Sequence, residues 1–263
     1  MLTSIRGLTA ATLAAAAVFL SPSALAQDVG PDNTPNDDIS TETDPRGPIE
    51  VSANVALTSE YRFRGVDLSG GDFAIQGGID VVHESGFYVG TWASSLDEDT
   101  VGFGATELDI YGGWSGDLTD GLSADVGVIG YLYPDAGPGD FDYIELYGSL
   151  SFTLGPAEAT AGIAYAPEQD SLLNQDNLYL YTDLGIGIPN TPLTVTGHLG
   201  YTDGILTFTN DGDAFDWSIG AEAAIEGTPL SLAVAYVGAE GDIVAPAYDF
   251  VDDAVVVTLS ASF

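Results

Sequence analysis

The 263-residue chain contains no cysteine and no lysine. Without cysteine it can form neither disulfides nor thiolate metal sites, which fits an oxidising compartment without requiring one. Its basic residues are Arg6, Arg46, Arg62 and Arg64, set against 40 Asp and Glu for a net charge of −36. Such an acid excess excludes nucleic acid and anionic lipid headgroups as direct partners, because those contacts need cations on the protein. His83 and His198 are the only histidines. Beyond the N-terminus there is no run of eighteen apolar residues, so no transmembrane helix is expected.

What is present starts with an export signal. Arg6 supplies a positive n-region, Leu8 to Leu20 an apolar h-region, and Ala24-Leu25-Ala26 a small-x-small cleavage site, so residues 1–26 read as a signal peptide. Residues 27–48 are rich in Asp, Asn, Thr and Pro. With almost no large apolar side chain they cannot offset the entropy of ordering, and a flexible acidic periplasmic leader is expected.

From Ile49 onward apolar and polar residues alternate. In Val51 to Arg64 the odd positions are apolar or aromatic nearly throughout, and the even ones are Ser, Asn, Thr, Glu and Arg. This period of two is that of an extended strand. About twelve such segments follow one another, near 50–64, 72–84, 87–96, 104–116, 122–133, 141–153, 157–166, 177–188, 192–203, 214–226, 229–239 and 250–263. Tight links at Ser85-Gly86, Asp117 to Gly121, Gly155-Pro156, Pro189 to Thr191 and Gly227-Thr228 rotate with longer loops. That rotation separates a membrane barrel from a soluble sandwich. The fold expected for residues 49–263 is all-β: a transmembrane antiparallel up-and-down barrel of about twelve strands in the bacterial outer membrane, contacting its lipid.

Aromatics on the apolar face fall into two bands. Phe87, Trp114, Phe152 and Phe263 lie near the short turns, and Tyr61, Phe63, Phe73, Tyr165, Tyr201, Phe215, Trp217 and Tyr236 near the long loops. Amphipathic rings at two interfaces are what a bilayer selects. In the third strand, Tyr88 and Trp92 compete with Phe87, Val89 and Ala93 for the outward face. The last segment, Val255 to Phe263, ends on an aromatic and resembles the C-terminal signal read by the barrel-assembly machinery.

The run Val51 to Val66 resembles the opening of the TorF family of porins. Gln76-Gly77-Gly78-Ile79-Asp80, Gly86 to Ser95 and Glu107 to Gly113 are similar to later strands of that family. The resemblance implies a Gram-negative outer-membrane barrel named as a porin, its substrate largely undefined, and a shared fold does not fix function.

Opposite the apolar face lie Glu60, Arg62, Arg64, Asp80, Glu107, Asp109, Asp125, Glu145, Asp183, His198 and Glu222, the candidate pore-lining residues, accompanied by Tyr111, Tyr147, Tyr179 and Tyr181. An ionised side chain facing lipid near the midplane costs about 2–4 kcal/mol for Arg, so these groups must face inward whether or not anything passes. Arg62 and Arg64 either set a transverse field across a constriction or hold neighbouring carboxylates in a packed network. His198 lacks the spacing of a Ser–His hydrolase, and no enzyme activity is expected. Asp97-Glu98-Asp99 and Asp211-Gly212-Asp213 match no full calcium loop, and neither metal nor cofactor is expected. The function expected is passive diffusion of small solutes, cations or neutral ones preferred because acids crowd the wall and the loops (Asp97, Glu98, Asp99, Asp135, Asp140, Glu168, Asp170, Asp211, Asp213, Glu240, Asp242 and Asp249). The alternative is a non-transporting barrel whose acidic loops bind a partner or divalent cations.

Overall fold

The computed structural model describes residues 48–137, 141–244 and 248–263. The expected signal peptide, the leader up to residue 47, and Asp140 lie outside the described residues. The strands are β1 (Ile49–Thr58), β2 (Arg62–Phe63), β3 (Val66–Asp67), β4 (Ala74–His83), β5 (Phe87–Ser95), β6 (Thr106–Thr119) and β7 (Leu122–Leu132). They continue as β8 (Tyr143–Leu154), β9 (Ala157–Gln169), β10 (Gln175–Gly187), β11 (Leu193–Gly204), β12 (Asp213–Ala224), β13 (Leu230–Ala239) and β14 (Ala254–Ser262). Twelve of these, β1 and β4 to β14, form a closed antiparallel barrel in chain order. Closure comes from β1, which pairs with β4 from Ile49↔His83 to Thr58↔Ala74 and with β14 through Leu57↔Leu259. Closing the sheet in this way removes the long open edges that an unclosed sheet exposes.

The alternation explains the wall. Ile75, Val126, Ile219 and Val255 point outward and are each more than half exposed, while their strand neighbours point inward and are buried or half-buried. Phe87, Phe152 and Phe263 ring the end with the short turns, hereafter the turn end. Phe73, Tyr165, Phe215 and Tyr236 ring the end with the long loops, the mouth. In β5 the competition resolves by packing: Phe87 and Val89 face out, whereas Tyr88 is buried inside and Trp92 sits against Tyr61 with ring centroids 5.5 Å apart. At the turns, Gly86 adopts φ +89°, a left-handed conformation that glycine takes without steric cost.

The first strand corrects the expectation. It ends at Thr58, not at residue 64, and the chain then folds into the barrel as a hairpin of β2 and β3, with Arg62 opposite Asp67 and Phe63 opposite Val66. The two connecting residues, Arg64 and Gly65, have φ of +51° and +77°. Positive φ at both central residues is the turn whose twist matches a two-residue hairpin. Tyr61 and Phe63 are therefore not in the outer aromatic band: Tyr61 is 1% exposed, and Phe63 meets Tyr131 edge-on at 5.6 Å. The period of two persists through this stretch because a hairpin strand alternates too, so periodicity alone could not reveal the change of direction.

Candidate functional site

The hairpin spans the lumen at the mouth half. Its root is at β1, and its tip reaches the opposite wall, where the Arg64 guanidinium (Nη2) donates to Glu145 Oε2 on β8 at 2.7 Å and lies over the Tyr179 ring of β10 at 4.2 Å. Gly65 is pressed so closely against the end of β13 that an added Cβ would come within 2.5 Å of Ala239 Cβ. Burial works against the Arg64 charge, yet Glu145 and the surrounding tyrosines hold the guanidinium above its ordinary range. Arg64 Nε and Nη1 have no hydrogen-bond partner among the described residues.

Arg62 anchors the same hairpin from the side. Its Nε and Nη2 donate to Glu60 Oε2 at 2.9 and 2.5 Å, and Nη1 donates to the Asp252 carbonyl at 2.8 Å. Asp67 accepts from the Ser69 and Gly71 backbone amides and from the Tyr248 hydroxyl. The mouth loops close over this: Phe250 is buried, its carbonyl takes the Asp67 N–H at 2.8 Å, and its ring lies 5.1 Å from Phe208.

The wall beneath the hairpin is a belt of tyrosines and carboxylates. Tyr61 donates to Glu107 Oε1 at 2.6 Å, Tyr133 to Glu107 Oε2 at 3.1 Å, and Tyr131 to Glu145 Oε2 at 3.2 Å. Tyr61, Tyr131, Tyr179, Glu107 and Glu145 are all no more than 1% exposed. A side chain lining an open water-filled pore would be wet, so at this level the lumen is filled.

The eleven candidate residues divide between two levels. Glu60, Arg62, Arg64, Glu107, Asp109 and Glu145 are gathered around the hairpin, with Asp109 Oδ1 and Glu145 Oε1 unpartnered among the described residues. Nearer the turn end, Tyr111 donates to Asp80 at 2.5 Å and Tyr88 to Asp125 at 2.6 Å. His198 borders the hairpin, lining one small cavity with Arg62, Arg64 and Gly65, and lies between Asp183, 2.6 Å from Nδ1, and Asp216, 3.0 Å from Nε2, with the Tyr179 hydroxyl 2.8 Å from Nε2. Nε2 is thus engaged by a carboxylate and a phenol, and is not offered to a serine as a nucleophile's base would be. Glu222 stands apart on β12. Asp97 caps the single-turn helix α1 (Glu98–Val101) by accepting from Asp99 N at 3.3 Å. Among the described residues, no group of three or more His, Asp or Glu is placed to hold a metal ion, the two ring nitrogens of His198 being turned to separate carboxylates.

Asp216 was not among the candidates, although Phe215-Asp216-Trp217 alternates and puts its carboxylate inward. Asp67 and Tyr248 had no such signal, because their pairing depends on the inward hairpin.

Residues 42–263 match a family described as bacterial proteins of unknown function, Gcw_chp. No curated protein matches the chain. Among solved structures, the NanC porin in a rhombohedral crystal form superposes with a TM-score of 0.56 at 10% identity, over 81% of this chain and 99% of that one. The KdgM porin, solved in complex with disordered oligogalacturonate, gives 0.52 at 6% identity, over 81% and 97%. At such identities the likeness establishes the porin-like barrel fold and leaves the substrate open.

Proposed function

We propose, for a chain that belongs to this Gcw_chp family of bacterial proteins of unknown function, an outer-membrane barrel of porin type, held closed by its own hairpin, that passes small cationic or neutral solutes when the hairpin withdraws. The observation that carries the reading is the span of the hairpin from β1 to Glu145 and Tyr179 on the far wall. An outer wall with Ile75, Ile219 and Val255 more than 60% exposed supports a lipid setting, since so much apolar area in water would drive association. Export through residues 1–26, assembly through the strand ending in Phe263, and the finer kinship with the TorF family belong to the same reading. It assigns the protein no enzymatic activity.

The preference for cations follows from which charges are already partnered. Arg62 and Arg64 each meet a carboxylate directly, at Glu60 and Glu145. Once the hairpin leaves, Asp80, Glu107, Asp109, Asp125, Glu145, Asp183 and Glu222 remain on the wall as pore-lining groups. A lumen of one sign raises the local concentration of counter-ions.

The test is planar-bilayer recording of the wild type beside a variant in which residues 61–68 are replaced by a Gly-Ser linker. The wild type should be quiet with rare openings, and the variant should conduct steadily with a cation-selective reversal potential. A wild type that conducts as steadily as the variant would remove the hairpin as a closure. Silence from both would favour a non-transporting barrel whose acidic loops bind a partner or divalent cations, a reading that the filled mouth half also supports.

A further inference from the structure

In the turn half a cavity of about 30 Å³ lies against β11 to β14, lined by Thr196, Glu222, Ala233, Ala235, Thr258 and Ser260. That is room for one small ion or a water. Glu222 is 9% exposed, and its Oε1 has no hydrogen-bond partner among the described residues. A buried, unpaired carboxylate oxygen beside a hole is costly unless something fills the hole.

The hydroxyls decide what can fill it. Thr58 Oγ1 donates to the Glu60 carbonyl at 2.9 Å and also lies 2.9 Å from Thr258 Oγ1. A hydroxyl has one proton, so Thr258 must donate to Thr58 and is left with only lone pairs to offer. Ser231 Oγ and Ser260 Oγ lie 2.7 Å apart, and either can donate to the other. The cavity is therefore faced by two groups with only lone pairs to offer, the unpartnered Glu222 Oε1 and Thr258 Oγ1, with the Ser260 hydroxyl beside them. An anion is excluded.

We propose that this cavity is a binding site for a single monovalent metal cation of the sodium class, held by Glu222 with Thr258, Ser260 and Thr196. The donor set is all oxygen, which excludes the softer transition metals. One carboxylate provides too little charge for calcium, which takes six to eight oxygens and several carboxylates. The arginines do not compete, since neither lines the cavity and both are held at the hairpin. Ala233 and Ala235 keep the hole open where larger inward residues would fill it. The site follows from the wall alone and is independent of whether the barrel conducts.

The experiment compares thermal unfolding of the detergent-folded full chain in NaCl and in choline chloride at equal ionic strength, so that screening is matched. In sodium the wild-type midpoint should rise saturably above its value in choline, as expected of a ligand that binds only the folded state. The isosteric variant Glu222→Gln should raise the half-saturating sodium concentration about tenfold or more, the effect of losing a modest charge interaction. Ser260→Ala, which keeps the carboxylate, should fall between the two. Asp213→Asn, at the mouth end of β12, should behave as the wild type. An equal sodium increment in the wild type and Glu222→Gln, or none in the wild type, overturns the site and leaves a water in the cavity. Neither result bears on conduction, which is read separately in bilayers.

Discussion

In the mouth half of the lumen the wall presents Tyr131, Tyr143, Tyr179, Glu107 and Glu145, and a hairpin of the same chain is packed across them. In the turn half, inward positions are more often Gly, Ala, Ser or Thr, and a cavity persists beside Glu222. Tyrosines occur in both halves. Tyr131 and Tyr143 stack on one another, 4.6 Å between centroids, beneath the hairpin. Tyr111 and Tyr88 lie across glycines of the neighbouring strand. A Cβ on Gly90 would come 2.4 Å from the Tyr111 ring, and one on Gly113 would come 2.6 Å from the Tyr88 hydroxyl. With no side chain beneath it, a ring can lie along the wall and leave the axis free. Tyr179 of the mouth half lies over Gly200 in the same way, a Cβ there coming 2.3 Å from its hydroxyl, so what fills that half is the hairpin with its Arg64–Glu145 pair on the stacked Tyr131 and Tyr143.

The contrast is broken most strongly at Arg64. Arg64→Ala would leave Glu145 buried without its counter-charge, a loss of about 3–5 kcal/mol for a pair of this kind. The expected result is a lower unfolding midpoint in detergent together with frequent channel openings. The double variant Arg64→Ala/Glu145→Gln should recover much of the stability while keeping the openings. If the midpoint is unchanged in the single variant, the pair does not hold the mouth half together.

A change in the other half should cost less and act differently. Gly90→Ala pushes a methyl into Tyr111 and Asp80, whose hydrogen bond is 2.5 Å long. Overpacking of this kind costs about 1–3 kcal/mol. The ring must turn off the wall, so in the hairpin-less variant the conductance should fall. An unaltered conductance would mean that the rings do not set the width of this half.

Next in size is Tyr61→Phe, which removes a hydrogen bond to a buried carboxylate worth about 1.5 kcal/mol. The cost is limited because Glu107 keeps Tyr133 on its other oxygen. Denaturant midpoints of Tyr61→Phe and Tyr133→Phe, taken singly and together, should give a larger loss for the pair than the sum of the two, since the double variant strands Glu107.

The barrel was legible in the sequence because a closed sheet between lipid and a polar interior has to alternate, and strands from β4 to β14 keep that alternation to within a few residues of their ends. The inward direction of Asp80, Glu107, Asp125 and Glu145 follows from the same parity. What could not be read was the hairpin. Arg62-Phe63-Arg64 alternates as a wall strand does, and only Gly65, following Arg64, marks the turn. The pairings that depend on it, Arg64 with Glu145 and Asp67 with Tyr248, join residues far apart in the chain, and no local pattern encodes them. The Glu222 cavity was hidden for another reason: it is defined by small residues on four strands, and a hole leaves no periodic signal.

The smallest effect should come from the loops, where the acids are most numerous. Asp97, Glu98 and Asp99 sit at the mouth on and beside α1. Mobile ions there shorten the reach of a charge to ~10 Å at 0.1 M salt. Wall carboxylates such as Asp80 and Asp125, each 7% exposed or less, are shielded from that screening by the protein around them. In the hairpin-less variant, neutralising the loop trio together (Asp97→Asn, Glu98→Gln and Asp99→Asn) should therefore shift the reversal potential slightly at low salt. Near 1 M, where the screening length is about 3 Å, the shift should vanish. Neutralising Asp80 and Asp125 should reduce cation preference at both salts. If the loop trio proves the stronger and its effect survives high salt, selectivity belongs to the mouth, and the carboxylates of the turn half serve only to hold their tyrosines.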